Sequence, residues 1–301
     1  MKSTPRFTGT YVALVTPFDA RGEYDDNAYR RLIEHVIAGG AEGVVSCATT
    51  GEKSTLTTDE HKHAVERAIA IVDGRLKVVA DTGSNDTAHA TMMATFAKAA
   101  GADAGLSVVP YYNKPTQEGL FRHYSHIAEH ADFPIVIYNV PSRTVANIAV
   151  ETVERLLSDA RVIGIKDATG DMDVTMRLVR AATTHRRPDF SILSGDDSRT
   201  LPMIAVGAHG CISVVANETP KLFSDMVRAA LGGDYATARE LQYRLLDLMS
   251  ANFLETNPIP VKYALATMGL IQEQYRLPLC PMSDANKAKM DKVLQELALV
   301  P

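Results

Sequence analysis

Short apolar runs alternate with longer amphipathic segments along most of the chain. The first run covers residues 10–15, and the segment over residues 26–38 follows it and ends at Gly39 and Gly40. Apolar residues in the longer segments recur with a period near 3.6, which predicts helices, whereas the short runs are rich in β-branched residues and predict strands. The alternation predicts repeated strand–helix units.

Eight strands are predicted in this way. They cover residues 10–15, 42–47, 77–81, 105–109, 134–138, 162–166, 190–195 and 210–215. Runs that are apolar throughout indicate burial on both faces, as in parallel sheets. Eight such units within about 230 residues predict an α/β fold of the (β/α)8 TIM barrel type over residues 1–230. An open doubly wound sheet would favour a GxGxxG turn after the first strand, whereas residues 15–22 read VTPFDARG.

The remainder, residues 231–301, contains no strand-like run. Helices are predicted over residues 235–251, 261–268 and 284–299, with proline-containing breaks between them. We therefore expect a small C-terminal helical region after the barrel.

Composition excludes several classes of protein. The 301 residues carry 31 Lys and Arg against 36 Asp and Glu, and Trp is absent, so neither a basic stripe nor a stacking platform for nucleic acid is expected. Three scattered cysteines suggest a reducing compartment. No signal-peptide pattern and no apolar run of about 18 residues occurs, so we expect a soluble, cytoplasmic protein without a membrane partner.

Metal and nucleotide motifs are absent from the sequence. There is no HExxH, no GxxxxGK[ST] and no GxSxG pattern. His61 and His63 point in different directions on a predicted helix, while His123, His126 and His130 share the face of an outer helix that has no carboxylate pattern. We expect no metal and no cofactor.

The sharpest catalytic candidate is Lys166, which ends the run over residues 162–166 at the barrel end where active sites lie. Desolvation at a buried strand end favours the uncharged amine, the form that attacks a carbonyl. Lys166 is therefore a candidate Schiff-base nucleophile. The alternative is a structural lysine that reaches solvent or pairs with Asp167.

Two further candidates lie at the end of the preceding strand and on the loop after it. Tyr138 ends that strand, and because neighbouring strands lie about 5 Å apart, its phenol can approach the Lys166 amine as an acid or base. Arg143 on the next loop can clamp a carboxylate. A rim tyrosine bonded to backbone and a surface ion pair are the respective alternatives.

Hydroxyl-bearing pairs follow two other strands. Thr49 and Thr50 precede a helix and can cradle a carboxylate, although local capping by threonine has the same sequence pattern. Tyr111 and Tyr112 are adjacent on a loop after the fourth strand, which is also typical of a subunit contact.

Six motifs and a C-terminal one together resemble the dihydrodipicolinate synthase family over nearly the whole chain. They are ATTGEK (48–53), VVPYYNKP (108–115), IYNVPSRT (137–144), GIKDATG (164–170), ILSGDD (192–197), ISVVAN (212–217) and NPIPVK (257–262). The resemblance implies a class I, pyruvate-dependent lyase that condenses pyruvate with L-aspartate 4-semialdehyde in lysine and diaminopimelate biosynthesis. It also implies a homotetramer and no cofactor.

The resemblance also implies residue roles. Lys166 would form the Schiff base, and a proton relay would consist of Tyr138, Thr49 and Tyr112, the last reaching the site of a neighbouring subunit. Thr50 and the backbone of Ile212 would hold the pyruvate carboxylate. Arg143 would orient the semialdehyde carboxylate, although Val145 stands two residues later where the family often has Gly.

The regulatory cleft of lysine-inhibited relatives differs here. In those relatives the cleft contains, in this order, a small polar residue, a histidine, an asparagine, an acidic residue and a tyrosine. The corresponding residues here are Lys53, His61, Asn85, His89 and Tyr111. Lys53 repels the ammonium of lysine and His89 replaces the carboxylate that would receive it, so we expect weak or no inhibition by lysine.

Two other functions remain open from the sequence. One is a pyruvate-dependent aldolase that acts on another aldehyde, which requires a sugar-derived aldehyde to react where the semialdehyde fails. The other is a non-catalytic barrel that binds a keto acid without forming an imine.

Overall fold

The eight strands follow chain order around a closed barrel, in a computed structural model that describes residues 7–300. They are β1 (Gly9–Ala13), β2 (Gly43–Ser46), β3 (Lys77–Asp81), β4 (Ala104–Val108), β5 (Ile135–Asn139), β6 (Val162–Asp167), β7 (Ser191–Ser194) and β8 (Gly210–Ser213). The pairs β1–β2 and β3–β4 through β7–β8 are parallel. The predicted (β/α)8 TIM barrel is confirmed.

Helices separate the strands and continue to the C-terminus. They are α1 (Asp26–Ala38), α2 (Thr58–Val72), α3 (Thr87–Ala100), α4 (Gln117–Ala131), α5 (Pro141–Thr144), α6 (Val150–Leu156), α7 (Met172–Thr184), α8 (Thr200–Ala205), α9 (Pro220–Leu231), α10 (Tyr235–Ala251), α11 (Ile259–Thr267) and α12 (Asp284–Glu296). The helices expected near the C-terminus are present, and the domain division at residue 230 stays a prediction. Within residues 7–300, no helix is long and apolar enough to cross a membrane.

Helix boundaries match the sequence where side-chain caps fix them. The side chains of Asp25 and Asp86 accept backbone N–H bonds at the starts of α1 and α3, and Thr57 forms a capping box with Glu60 at the start of α2. Gly101 ends α3 in the left-handed conformation. Each of these residues satisfies helix-end groups that the helix itself leaves unpaired.

The strand predicted over residues 210–215 ends earlier, at Ser213. Val214 and Val215 continue the apolar pattern, but the chain turns there into a short 3-10 helix, Val215–Asn217. The Asn217 amide donates to the carbonyl oxygens of Ala13 and Val214, at 2.9 Å and 2.8 Å, and holds this turn. Apolar pattern alone does not reveal such a side-chain bond.

The structure contains two compact units. One comprises Val79–Ile212 with the stretch that ends at Gly9, and its core includes Leu106, Ile137 and Ile165 of β4, β5 and β6. The other comprises Thr10–Val78 with the stretch that begins at Ser213. Its core includes side chains from β1, α1, α9 and α10: Tyr11, Leu32, Phe223 and Leu245.

His123 is a buried histidine of the first unit. On α4 its Nδ1 lies 2.9 Å from Thr87 Oγ1 of α3, and its ring contacts Tyr124 edge-on. Burial, together with the charge of His126, lowers the pKa of His123 from 6.5 to about 4. The helix face that carries His123, His126 and His130 is therefore buried at His123, because α4 packs against α3.

Replacing His123 with Gln should make the stability of the protein less sensitive to acid. The unfolded chain binds a proton at this imidazole near pH 6.5 but the folded chain only near pH 4, so the stabilising contribution is complete above pH 6.5 and is lost as the pH falls towards 4. Through this group, wild-type protein should lose up to about 3 kcal/mol of unfolding free energy over that range. Urea unfolding at pH 7 and pH 4.5 measures the difference.

The exposed His185 provides the control. His185→Gln should retain the acid sensitivity of the wild type, and equal losses in the wild type and His123→Gln would contradict the assignment.

Candidate active site

Lys166 lies at the carboxyl end of β6 and is 5% exposed. The strand is buried along its whole length. Gly164 is required for this packing, because a Cβ there would lie 2.6 Å from the carbonyl oxygen of Ser191 on β7. Close strand packing therefore places the lysine side chain inside the protein.

Tyr138 on β5 is the direct strand partner of Lys166. The Lys166 Nζ atom lies 4.2 Å from the centroid of the Tyr138 ring. The structure thus brings together the two residues that the sequence places on neighbouring strands. A cation over an aromatic face is attracted to it, so the ring holds the amine in place.

Asp167 does not pair with the lysine. Its Oδ1 accepts hydrogen bonds from the backbone and hydroxyl of Thr169, at 3.0 Å and 2.7 Å, and its Oδ2 accepts from the Thr175 hydroxyl at 2.8 Å. Successive strand residues point to opposite faces, which separates the two side chains. Among the described residues, no carboxylate forms an ion pair with Lys166.

Gly195, directly after β7, lies against the lysine side chain, and Cys211 lies on the next strand, β8. A Cβ at Gly195 would lie 3.1 Å from Lys166 Cε and 2.7 Å from the Ala168 Cβ, so only glycine fits after β7. On β8, burial and the nearby Asp197 raise the pKa of the Cys211 thiol. This keeps Cys211 protonated, and because the thiolate is the nucleophilic form, Cys211 is not a candidate nucleophile.

Arg143 is exposed on the single turn α5, directly after β5. The loop that carries it is braced at its base, where Asn139 Nδ2 donates to Asn147 Oδ1 at 2.8 Å. The Thr144 hydroxyl donates to the Ala146 carbonyl at 2.7 Å. Val145 adopts φ +60° and is 69% exposed, a conformation that costs a β-branched residue energy and explains why glycine suits this position.

Tyr112 and Ile212 differ in their exposure. Tyr112 is 90% exposed, with φ +71°, and its side chain forms no hydrogen bond or ring contact with the described chain. Ile212 is buried on β8. The structure does not bring Tyr112 to Lys166 within one chain.

Thr49 and Thr50 belong to the other compact unit. They begin a 3-10 turn, Thr49–Gly51, shortly after β2, and the N–H groups of Gly51 and Glu52 close it on the carbonyls of Ala48 and Thr49. Thr16 donates its hydroxyl proton to the Gly51 carbonyl at 2.7 Å. We call residues 49–52 the threonine turn.

Residues from the C-terminal part of the chain hold the threonine turn. Asn257 Nδ2 donates to Thr50 Oγ1 at 3.1 Å. Lys262 forms a fully buried ion pair with Glu52, whose second oxygen accepts from the backbone N–H of Arg276 at 3.3 Å. Burial lowers the pKa of Lys262, and the Glu52 charge opposes this shift.

The sequence assigns no role to Gly195, Asn257 or Lys262. Each lies in a motif of the family resemblance, which is the only signal that marks them. Asn257 and Thr50 are 207 positions apart, so no periodic pattern can place them in contact.

No candidate metal site is found among residues 7–300. In that part of the chain, no group of three or more His, Cys, Asp or Glu side chains is placed to hold a metal ion. His126 and His130 stack on each other with ring centroids 3.8 Å apart, while His61 is buried on α2.

Comparison with known proteins points to one family. The model of the Dihydrodipicolinate synthetase family matches residues 6–297. The 4-hydroxy-tetrahydrodipicolinate synthase of Thermodesulfovibrio yellowstonii is 48% identical over 294 residues, which cover 98% of this chain and 99% of the relative.

Solved structures of similar sequence and fold belong to the same family. The crystal structure of dihydrodipicolinate synthase from Aquifex aeolicus has a TM-score of 0.93 and 46% identity, with 97% of this chain and 99% of that chain covered. The chloride-inhibited dihydrodipicolinate synthase from Acinetobacter baumannii, complexed with pyruvate, has a TM-score of 0.94 and 39% identity, with coverage of 97% and 99%. The chain therefore belongs to the dihydrodipicolinate synthetase family and is a lyase.

Proposed function

We propose that the protein condenses pyruvate with L-aspartate 4-semialdehyde through a Schiff base on Lys166, giving 4-hydroxy-tetrahydrodipicolinate. The observation that carries this proposal is the Lys166 amine, which is buried, has no ion-pair partner in the described chain and lies against the Tyr138 ring. The names of the relatives and the pyruvate-bound A. baumannii structure support it.

The reaction begins at the lysine. The Lys166 amine attacks the ketone carbon of pyruvate, and the carbinolamine loses water to give a protonated imine. The positive imine nitrogen withdraws electrons, so the pyruvate methyl group loses a proton and an enamine forms. Lys166 thus converts a methyl group into a carbon nucleophile.

The enamine carbon then attacks the aldehyde carbon of the semialdehyde, whose oxygen takes up a proton and becomes the hydroxyl of the product. The amino group of the second substrate attacks the imine carbon and closes the ring. The bond to Lys166 breaks in this step, and the amine is regenerated.

Proton transfers require a group beside the lysine. Tyr138 is that group in our proposal, because its ring lies against Nζ and its hydroxyl can give and take protons as the carbinolamine and imine form. Thr49 and Tyr112 complete the relay, with Tyr112 acting in the site of a neighbouring copy. Its 90% exposure and its lack of hydrogen bonds and ring contacts with residues 7–300 support that role and a homo-oligomer, in the family a tetramer.

Two substrates that both carry carboxylates need two separate anchors. We assign the pyruvate carboxylate to Thr50 of the threonine turn and to the backbone of Ile212. The semialdehyde carboxylate is assigned to Arg143, whose exposed guanidinium stands on a braced loop and can bind it with two parallel hydrogen bonds.

Borohydride should trap pyruvate on Lys166. Reduction of the imine gives a stable secondary amine, so mass mapping after digestion should find the added mass on the peptide that contains Lys166. Lys166→Ala should give no adduct and lose turnover by about 10³-fold or more, because the covalent route is removed. The exposed Lys221, replaced by Ala, provides the matched control and should behave like the wild type.

Pyruvate that binds without any adduct would instead indicate a non-catalytic keto-acid-binding barrel. An adduct together with turnover of a sugar-derived aldehyde, but not of the semialdehyde, would indicate another aldolase.

Arg143→Ala should impair use of the semialdehyde far more than imine formation with pyruvate. Hydrogen bonds between charged groups contribute about 1.5–3 kcal/mol, so kcat/KM for the semialdehyde should fall about 10- to 100-fold. Steady-state kinetics with each substrate varied and the rate of borohydride trapping measure the two effects. Arg122→Ala on α4 removes another exposed arginine and should change neither, whereas equal losses in both steps for Arg143→Ala would contradict its assignment.

L-Lysine at millimolar concentration should leave turnover nearly unchanged. In our proposal Lys53 and His89 both disfavour the lysine ammonium, since one repels it and the other supplies no carboxylate. The double variant Lys53→Ser/His89→Glu should become more sensitive to L-lysine, and D-lysine serves as the control ligand. Strong inhibition of the wild type by L-lysine would refute this part of the proposal.

A further inference from the structure

Asn257 connects the C-terminal part of the chain to the threonine turn. Its Nδ2 lies 3.1 Å from Thr50 Oγ1, and both side chains are buried. The segment that begins with Asn257 continues into α11, which also carries Lys262, the partner of Glu52. One short segment therefore contacts two residues of the threonine turn, Thr50 and Glu52.

The direction of this hydrogen bond constrains the Thr50 proton. A threonine hydroxyl has one proton to donate and two lone pairs that accept. Because the Asn257 amide donates to Oγ1, it occupies a lone pair and leaves the hydroxyl proton to point at a different acceptor. A hydroxyl held in this way is a hydrogen-bond donor already aimed before an anion arrives.

We propose that Asn257 is a positioning residue that fixes the Thr50 hydroxyl as a donor to the substrate carboxylate. This inference rests on the proposed function, in which Thr50 binds the carboxylate of pyruvate. Asn257 contacts no substrate in this scheme and acts only through Thr50. A hydrogen bond aimed in advance needs no reorganisation when the ligand binds, which strengthens binding of the anion.

The rest of the threonine turn is fixed by stronger interactions. Glu52 is held by Lys262 and by the backbone N–H of Arg276, whose guanidinium also donates to the Thr55 carbonyl at 3.0 Å. Backbone position is thus set without Asn257. The contact of the Asn257 amide with Thr50 therefore sets the rotation of the Thr50 hydroxyl proton.

Two substitutions of Asn257 separate orientation from packing. Asn257→Ala removes the donor and should raise KM for pyruvate about tenfold, equal to about 1.4 kcal/mol, with little change in KM for the semialdehyde. Asn257→Asp keeps the shape but replaces the donor with an acceptor that captures the Thr50 proton. It should raise KM for pyruvate more than Asn257→Ala does, whereas a purely structural role makes the isosteric variant the milder one.

A double-mutant cycle with Thr50→Val isolates the link between the two residues. Valine has no hydroxyl, so adding Asn257→Ala or Asn257→Asp to Thr50→Val should raise KM for pyruvate less than about twofold further, because coupled residues are not additive. The inference would be overturned if the KM increases of the two single variants multiply in full in the double variant. It would also be overturned if Asn257→Asp has the wild-type KM for pyruvate.

Asn252→Ala is the matched control for loss of a buried amide. Asn252 lies just after α10, is fully buried, and neither amide atom has a hydrogen-bond partner in the described part of the chain. This variant should keep the wild-type KM for pyruvate. Circular dichroism and thermal unfolding of every variant identify any that fail to fold. If Asn257→Ala fails to fold, the isosteric Asn257→Asp provides the test.

The same data distinguish the inference from the function on which it rests. A Thr50→Val enzyme with wild-type KM for pyruvate would overturn both the carboxylate assignment and the role of Asn257. If Thr50→Val raises KM but Asn257→Ala and Asn257→Asp do not, only the role of Asn257 is wrong.

Discussion

A buried amine without an opposing charge is the constraint on which the structure around β6 depends. Lys166 needs space, and the absence of a side chain at Gly164 and Gly195 provides it. It also needs its neighbouring carboxylate turned away, which Thr169 and Thr175 achieve by binding Asp167. The Tyr138 ring lies against the amine. The surrounding residues thus hold the amine without placing a carboxylate against it.

Lys262 shows what happens when a buried lysine is paired. Its ammonium and the Glu52 carboxylate are both removed from water, and each compensates the charge of the other. Such a pair fixes the backbone that it connects but leaves no reactive group. The two lysines have similar burial, so the presence or absence of a carboxylate separates a structural lysine from a candidate nucleophile.

Two loops that follow strands carry strained backbone at exposed residues. Val145 and Tyr112 both adopt left-handed conformations, with φ +60° and φ +71°, and both are exposed. The left-handed conformation costs free energy for residues other than glycine, so the surrounding structure must hold them in it. In one case the bond from Asn139 to Asn147 braces the loop that carries Arg143.

The architecture could be predicted from the sequence, because apolar periodicity, caps and glycines are local signals that each segment carries alone. It also marked Lys166, Tyr138 and Arg143, since all three follow directly from strand ends in a parallel barrel. The partners of these and other residues could not be predicted in this way, because they depend on how the chain folds in three dimensions. That His123 is buried against α3 and that Asn257 reaches Thr50 depend on segments 36 and 207 positions apart in the chain, and contacts between such segments leave no periodic trace in either one.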